Sequence, residues 1–125
     1  MEQGFTVSFP GGQMVDVAHA GGMIRTDQGG DDPSPFNLFL ASIASCAGFY
    51  VMSFLKRRDI PTEDVSLSMR AHRVEHGKLD RVEIEISLPE GFPQKYVEAV
   101  IKAAGSCLVK KTLEFPPEFE IKVSR

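Results

Sequence analysis

The chain has 125 residues, 42% of them hydrophobic and 25% charged, with a formal net charge of -3. That length supports one core rather than two, and the composition excludes a disordered or collagen-like chain. The acidic balance argues against nucleic-acid binding, which draws on a surplus of Lys and Arg, and two cysteines are too few for a disulfide scaffold or a structural zinc site.

In chain order, Phe5, Val7 and Phe9 alternate with polar residues and predict a strand. Pro10-Gly11-Gly12 marks a turn, and Met14, Val15 and Val17 predict the returning strand of a hairpin. Gly21-Gly22 precedes a third short strand, Met23-Ile24-Arg25-Thr26, and Asp27 to Asp32 form a loop. Glu2, Asp16, Asp27, Asp31 and Asp32 leave Arg25 as the single base before Lys56. The N-terminus carries no basic stretch followed by an apolar run, so no secretory signal is expected. A cytoplasmic, reducing location follows as the default, where a lasting disulfide is unusual.

Residues 33–55, PSPFNLFLASIASCAGFYVMSFL, carry no charge and end in Lys56-Arg57-Arg58. An apolar run of about twenty residues closed by a basic cluster is also the pattern of a membrane span. Asn37, Ser42, Ser45, Gly48 and Ser53 lower its hydrophobicity, and the strands on either side need a core to pack on. The expectation is therefore a helix buried on all sides inside a soluble core or a subunit interface, with no membrane contact. Ser34 suits its N-cap, Pro35 its first turn, and the basic cluster its C-terminal dipole.

Beyond Ile60-Pro61, Val65, Leu67, Met69 and Ala71 alternate with polar residues, as do Val82, Ile84, Ile86 and Leu88 after a turn at His76-Gly77-Lys78. This is the clearest hairpin in the sequence. Pro89 to Pro93 stops it and begins a second helix, whose apolar face holds Tyr96, Val97, Val100, Ile101 and Ala104. Gly105 interrupts, Ser106-Cys107-Leu108-Val109 follows, and Phe119, Ile121 and Val123 predict a closing edge strand. The whole is an α+β fold over residues 1–125, a single domain with a mostly antiparallel sheet packed on a long buried central helix. A helix apolar all round needs cover that a small sheet cannot give, so a homodimer with residues 36–55 at or near the interface is expected.

Cys46 lies in the middle of the long helix and Cys107 follows the second one, each among small residues (ASCAG, AGSCL). A buried cysteine is ordinarily a packing residue. A reactive one needs its thiolate stabilised, because an apolar pocket raises the thiol pKa. Arg25 is the one cation early in the chain that could serve Cys46; its alternative role is an edge-strand charge or a partner for Asp27 or Asp31. Ser106 could instead cap a short helix with Cys107 at its first position, where backbone N–H groups favour a thiolate. Local chemistry leaves the ranking of the two thiols open. His19, His72 and His76 are weaker candidates, and no metal, phosphate-binding or serine-nucleophile motif occurs.

The Pro-x-x-Leu-Phe-Leu-Ala-x-x-Ala-x-Cys helix ending at Cys46, with the second cysteine in AAGSCLVKKTL, resembles the OsmC/Ohr family of osmotically inducible and organic-hydroperoxide-resistance proteins. The resemblance implies an intertwined homodimer with buried central helices and a thiol-dependent peroxidase with no cofactor and no metal. It implies that Cys46 attacks the peroxide, that Cys107 condenses with the resulting sulfenic acid, and that an external dithiol reductant reopens the disulfide. It further implies that Arg25 fills the role of the family's thiolate-orienting Arg. The peroxidase members carry a Glu ten residues before the first cysteine, where this chain has Phe36. A second reading follows: an OsmC-like small-molecule binding or redox-sensing protein without turnover, its apolar pocket lined by Phe36, Phe39, Phe49 and Tyr50.

Overall fold

The computed structural model describes all 125 residues. In order they form β1 (Thr6–Gly11), β2 (Met14–His19), β3 (Gly22–Asp27), α1 (Pro35–Lys56), β4 (Ser66–Arg73), β5 (Leu79–Ser87), a 3-10 turn (Gln94–Tyr96), α2 (Val97–Gly105) and α3 (Leu108–Glu114). The fold is α+β with antiparallel pairing throughout, in a three-stranded sheet β1-β2-β3 and a two-stranded sheet β4-β5. Two compact units result, residues 1–41 and 42–125.

In the first unit, the chain reverses between β1 and β2 at Gly11 and Gly12, whose φ values of 146° and 56° lie where side chains with a Cβ are strained. Val7 stands opposite Val17 and Val17 opposite Ile24, while Ser8 stands opposite Asp16 and Asp16 opposite Arg25. Strand residues alternate between faces, so one face is apolar and the other carries the Asp16–Arg25 pair. Phe5, Val7 and Phe9 remain exposed in the single chain. The loop leading out of β3 is closed by the Asp27 N–H donating to the Pro33 carbonyl at 3.0 Å. Ser34 Oγ then accepts the Asn37 N–H at 3.2 Å, the capping geometry expected of a serine one residue before a helix-initiating proline.

The second unit is built on one stripe of α1. Ile43, Ala47, Val51 and Leu55, each four residues apart, are its buried side chains. Ala47, Val51 and Leu55 pack with Val100 and Ala104 of α2, and Leu67, Ile84 and Ile86 of the hairpin close over them. The β4–β5 register explains that cover: Leu67 opposes Ile86, Met69 opposes Ile84 and Ala71 opposes Val82, all on one face. The opposite face carries Arg70 and Glu83, an exposed ion pair at 3.5 Å of little energetic weight. Each fully buried Val or Leu in this cluster contributes roughly 1.5–3 kcal/mol by leaving water.

Helix α1 is long and apolar enough to cross a membrane, and one stripe of it sits in the core, while Phe49 and Met52 are exposed in the single chain. One hairpin and one short helix cover that stripe and no more. One expectation is corrected: the closing strand does not form. Phe119, Ile121 and Val123 lie in residues 116–125, which have no regular structure and are exposed. A strand needs a neighbour's hydrogen-bond ladder, and neither sheet of this chain pairs with the segment.

Candidate active site

Both thiols belong to the second unit, and the packing of that unit brings them together. Cys46 precedes the buried Ala47 on α1. The buried positions of α2, Val100 and Ala104, continue with the spacing of a helical face to Cys107, which is 2% exposed. Ser106 ends α2, its hydroxyl donating to the Lys102 carbonyl at 3.0 Å. The chain is then extended at Cys107 (φ -53°, ψ 128°) before α3 begins at Leu108. Ser106 therefore does not cap a helix beginning at Cys107, as expected above; its hydroxyl serves the end of α2, and Cys107 itself is the residue from which α3 starts.

That geometry determines the electrostatics. The first N–H groups of a helix have no partner within it, and those of α3 meet the two sulfurs. Burial pushes the Cys46 thiol up, but the Cys107 thiol donating a hydrogen bond to its sulfur, with the backbone N–H groups of Val109 and Leu108, outweighs burial and holds it below the ordinary cysteine value. Cys107 moves the other way. Burial raises it first, and its role as donor to Cys46 raises it further, against smaller opposing contributions from the N–H groups of Lys110 and Val109. Cys46 is thus the accepting sulfur of the pair and Cys107 the donating thiol. Both are free thiols. The hydrogen bond between the sulfurs makes the two thiols unequal, lowering Cys46 and raising Cys107.

An apolar cavity of about 530 Å³ opens beside the pair, walled by Ile84 and Ile86 of β5, Val97 and Ile101 of α2, and Cys107, with Lys110 contributing to its lining. Ile43 and Ala47, which flank Cys46 on α1, also border it, whereas Cys46 itself does not. The pocket expected along Phe36, Phe39, Phe49 and Tyr50 is not this one. Those rings pair with each other instead, Phe36 with Phe39 at 5.5 Å and Phe49 with Tyr50 at 5.7 Å. A cavity walled by a hairpin and several helices has no periodic signature in sequence.

In the first unit Arg25 is clamped by Asp16, Nε to Oδ1 at 2.7 Å and Nη2 to Oδ2 at 2.9 Å. Hydrogen bonding from Arg25 holds the Asp16 carboxyl below its ordinary value against the effect of burial, and Asp16 raises Arg25 in return. The alternative of pairing with Asp27 or Asp31 gives way to Asp16, which stands directly opposite Arg25 on β2 and β3. The available signal was one acid inside the apolar MVDVA strand and one base inside MIRT. No three His, Cys, Asp or Glu side chains converge on a point that could hold a metal ion.

Two sulfurs in hydrogen-bond contact can form a disulfide on oxidation. Among solved structures, an OsmC-like protein of Mycoplasma pneumoniae superimposes with a TM-score of 0.72 at 11% identity, covering 91% of this chain and 88% of that one. A hypothetical protein of Aquifex aeolicus VF5 gives 0.74 at 20% identity, with 93% and 89% covered. The organic hydroperoxide resistance protein OhrB of Bacillus subtilis gives 0.54 at 16% identity, with 93% of each chain covered. No protein of curated function matches. The family profile described as OsmC-like protein matches residues 28–122, both cysteines included. The chain belongs to the OsmC-like protein family.

Proposed function

We propose that the protein is a cysteine-based peroxidase that reduces organic hydroperoxides in a stress response, with Cys46 as the attacking thiolate and Cys107 as the resolving thiol. The observation that carries this reading is the polarised pair: Cys46 held low, Cys107 held high and donating to it. The thiolate attacks the outer peroxide oxygen, the O–O bond breaks, and the alcohol leaves with a proton. Cys107 then attacks the Cys46 sulfenic acid, water departs, and a disulfide remains. An external dithiol returns both sulfurs to thiols. The name of the Bacillus subtilis structure, which speaks of organic hydroperoxide resistance, supports the substrate class. Arg25 enters by the resemblance alone, as the residue that orients the thiolate, with Asp16 rather than a glutamate at Phe36 as its acidic partner.

In this reading residues 1–125 act as one cytoplasmic domain within a homodimer. The exposed Phe5, Val7 and Phe9 of β1 and, separately, the exposed Phe119, Ile121 and Val123 support a second copy, since large apolar side chains left uncovered in such numbers call for a partner. Consumption of cumene hydroperoxide with dithiothreitol tests the activity. Wild type is expected to turn over and Cys46→Ser to be inactive; equal rates in the two would refute the assignment. The aromatic Phe36, packed on Phe39, favours the second reading of a ligand-binding or redox-sensing protein. Absence of turnover in wild type with every reductant tried would select it.

A further inference from the structure

The wall of the 530 Å³ cavity is apolar except for two charged residues, Glu85 and Lys110. They are not equivalent. Glu85 lies between Ile84 and Ile86 on β5, whose side chains close over the core, and strand residues alternate between faces. Its carboxylate therefore stands on the outer face of the hairpin. Lys110 stands three residues after Cys107 and three before Leu113, and all three border the cavity, so they share one side of α3. The Lys110 ammonium is thus the charge that accompanies the apolar space. Its partner is Glu114, one turn along the helix at 3.6 Å, with the two side chains 54% and 52% exposed. A pair so exposed contributes little, and a better placed anion displaces Glu114 easily.

We propose that this cavity is a binding site for an unreactive long-chain monocarboxylate, its aliphatic tail between β5 and α2 and its carboxylate on Lys110. The volume falls within the range of small-molecule sites, which combine apolar walls with a few placed polar groups. Ile84 and Ile86 on one side and Val97 and Ile101 on the other receive the tail, and each methylene buried there strengthens binding about fourfold. The head group is selected by charge. A carboxylate replaces Glu114 on Lys110, a neutral ester leaves that pair as it is, and a quaternary ammonium is repelled. The occupant meets one sulfur of the pair and not the other, because Cys107 forms part of the wall and Cys46 does not. It therefore covers Cys107 and leaves Cys46 open. The site goes beyond the peroxidase reading, since a ligand without a peroxide group is held away from the attacking sulfur and is not consumed.

Calorimetric titration of the reduced protein with dodecanoate, methyl dodecanoate and dodecyltrimethylammonium, each below its micelle concentration, tests the head group. Lys110→Glu and Ile101→Asp test the wall. Lys110 is half exposed and Ile101 is 59% exposed, so both variants are expected to keep the wild-type Tm. Wild type is expected to prefer dodecanoate to the ammonium compound by about tenfold, and Lys110→Glu to reverse that order with its affinity for the ester unchanged. Ile101→Asp is expected to weaken dodecanoate and the ester alike. Position is read from the thiols. In Cys46→Ser the remaining Cys107 reacts with methyl methanethiosulfonate, and in Cys107→Ser the remaining Cys46 does. Saturating dodecanoate is expected to slow the first reaction about tenfold and to leave the second unchanged. No calorimetric binding, an unaltered order of ligands in Lys110→Glu, or protection of Cys46 without Cys107 would each overturn the proposal. A fall of the solution mass to one chain in Ile101→Asp would also overturn it, since the cavity would then belong to a second copy. None of these measurements depends on peroxide turnover, so loss of the peroxidase reading shows separately, as intact peroxide.

Discussion

Replacing Cys107 by alanine removes the thiol that donates to Cys46 and leaves the N–H groups of Leu108 and Val109 in place. A hydrogen bond to a charged acceptor contributes about 1.5–3 kcal/mol, and a thiol is a weak donor. The lower end applies, so the change is about 1.5 kcal/mol, or about tenfold in the thiolate fraction below the pKa. Cys107→Ser keeps a donor of similar size and is a stronger one. Both variants hold a single thiol, so each titrates as one group, free of the coupling between two neighbouring sulfurs. Alkylation of Cys46 by iodoacetamide, followed against pH, reads the thiolate fraction directly. Expected is a fall of about tenfold in the neutral-pH rate for Cys107→Ala, with Cys107→Ser at or above the rate of Cys46 in wild type. Equal rates in the alanine and serine variants would refute the assignment of Cys107 as donor, because the two differ chiefly in that hydrogen bond.

Asp16→Asn removes a carboxylate whose folded pKa lies below its unfolded value. Its contribution to stability is present above the ordinary carboxylate pKa of about 3.9 and is lost as pH falls from there through the folded pKa. Thermal denaturation should therefore show a lower Tm for Asp16→Asn than for wild type at pH 7, with the gap closing in acid; a constant gap would contradict the pairing with Arg25. Leu55→Ala, at a residue 1% exposed in the core, is expected to lose about 2–5 kcal/mol in urea unfolding. Size exclusion with light scattering is expected to give the mass of two chains, and Phe5→Asp with Phe9→Asp to shift it toward one; a stable wild-type monomer at micromolar concentration rules out the dimer. Arg25→Ala is expected to raise the pKa of Cys46, and an unchanged titration removes Arg25 from the site.

Much of the fold is legible because single residues carry strong local rules. Ser34-Pro35 marks the start of α1 through a cap and a preset φ, and the structure has the helix begin at Pro35. The β4–β5 hairpin follows from alternation sustained over Val65 to Leu88, with Gly77 at a φ of 82° in the turn. Features that depend on distant neighbours are less legible. Alternation at Phe119, Ile121 and Val123 satisfies the same rule, yet no strand forms because the ladder it needs is not offered by this chain. The Asp16–Arg25 clamp depends on register across a turn, which side-chain pattern alone does not determine. Cys46 and Cys107 are visible as the only two thiols, but their inequality is set by where α3 begins. A start at Leu108 aims unpaired N–H groups at the sulfurs, and a helix of seven residues gives little periodic warning of itself.

The central claim is that Cys46 and Cys107 form a redox couple driven by peroxide. Fully reduced protein mixed anaerobically with one equivalent of cumene hydroperoxide, with no other thiol present, tests it most directly. The expected result is one cumyl alcohol per chain, loss of both thiol hydrogens in the intact mass, and a single cross-linked peptide pair joining Cys46 to Cys107. Unconsumed peroxide with both cysteines still alkylated would contradict it.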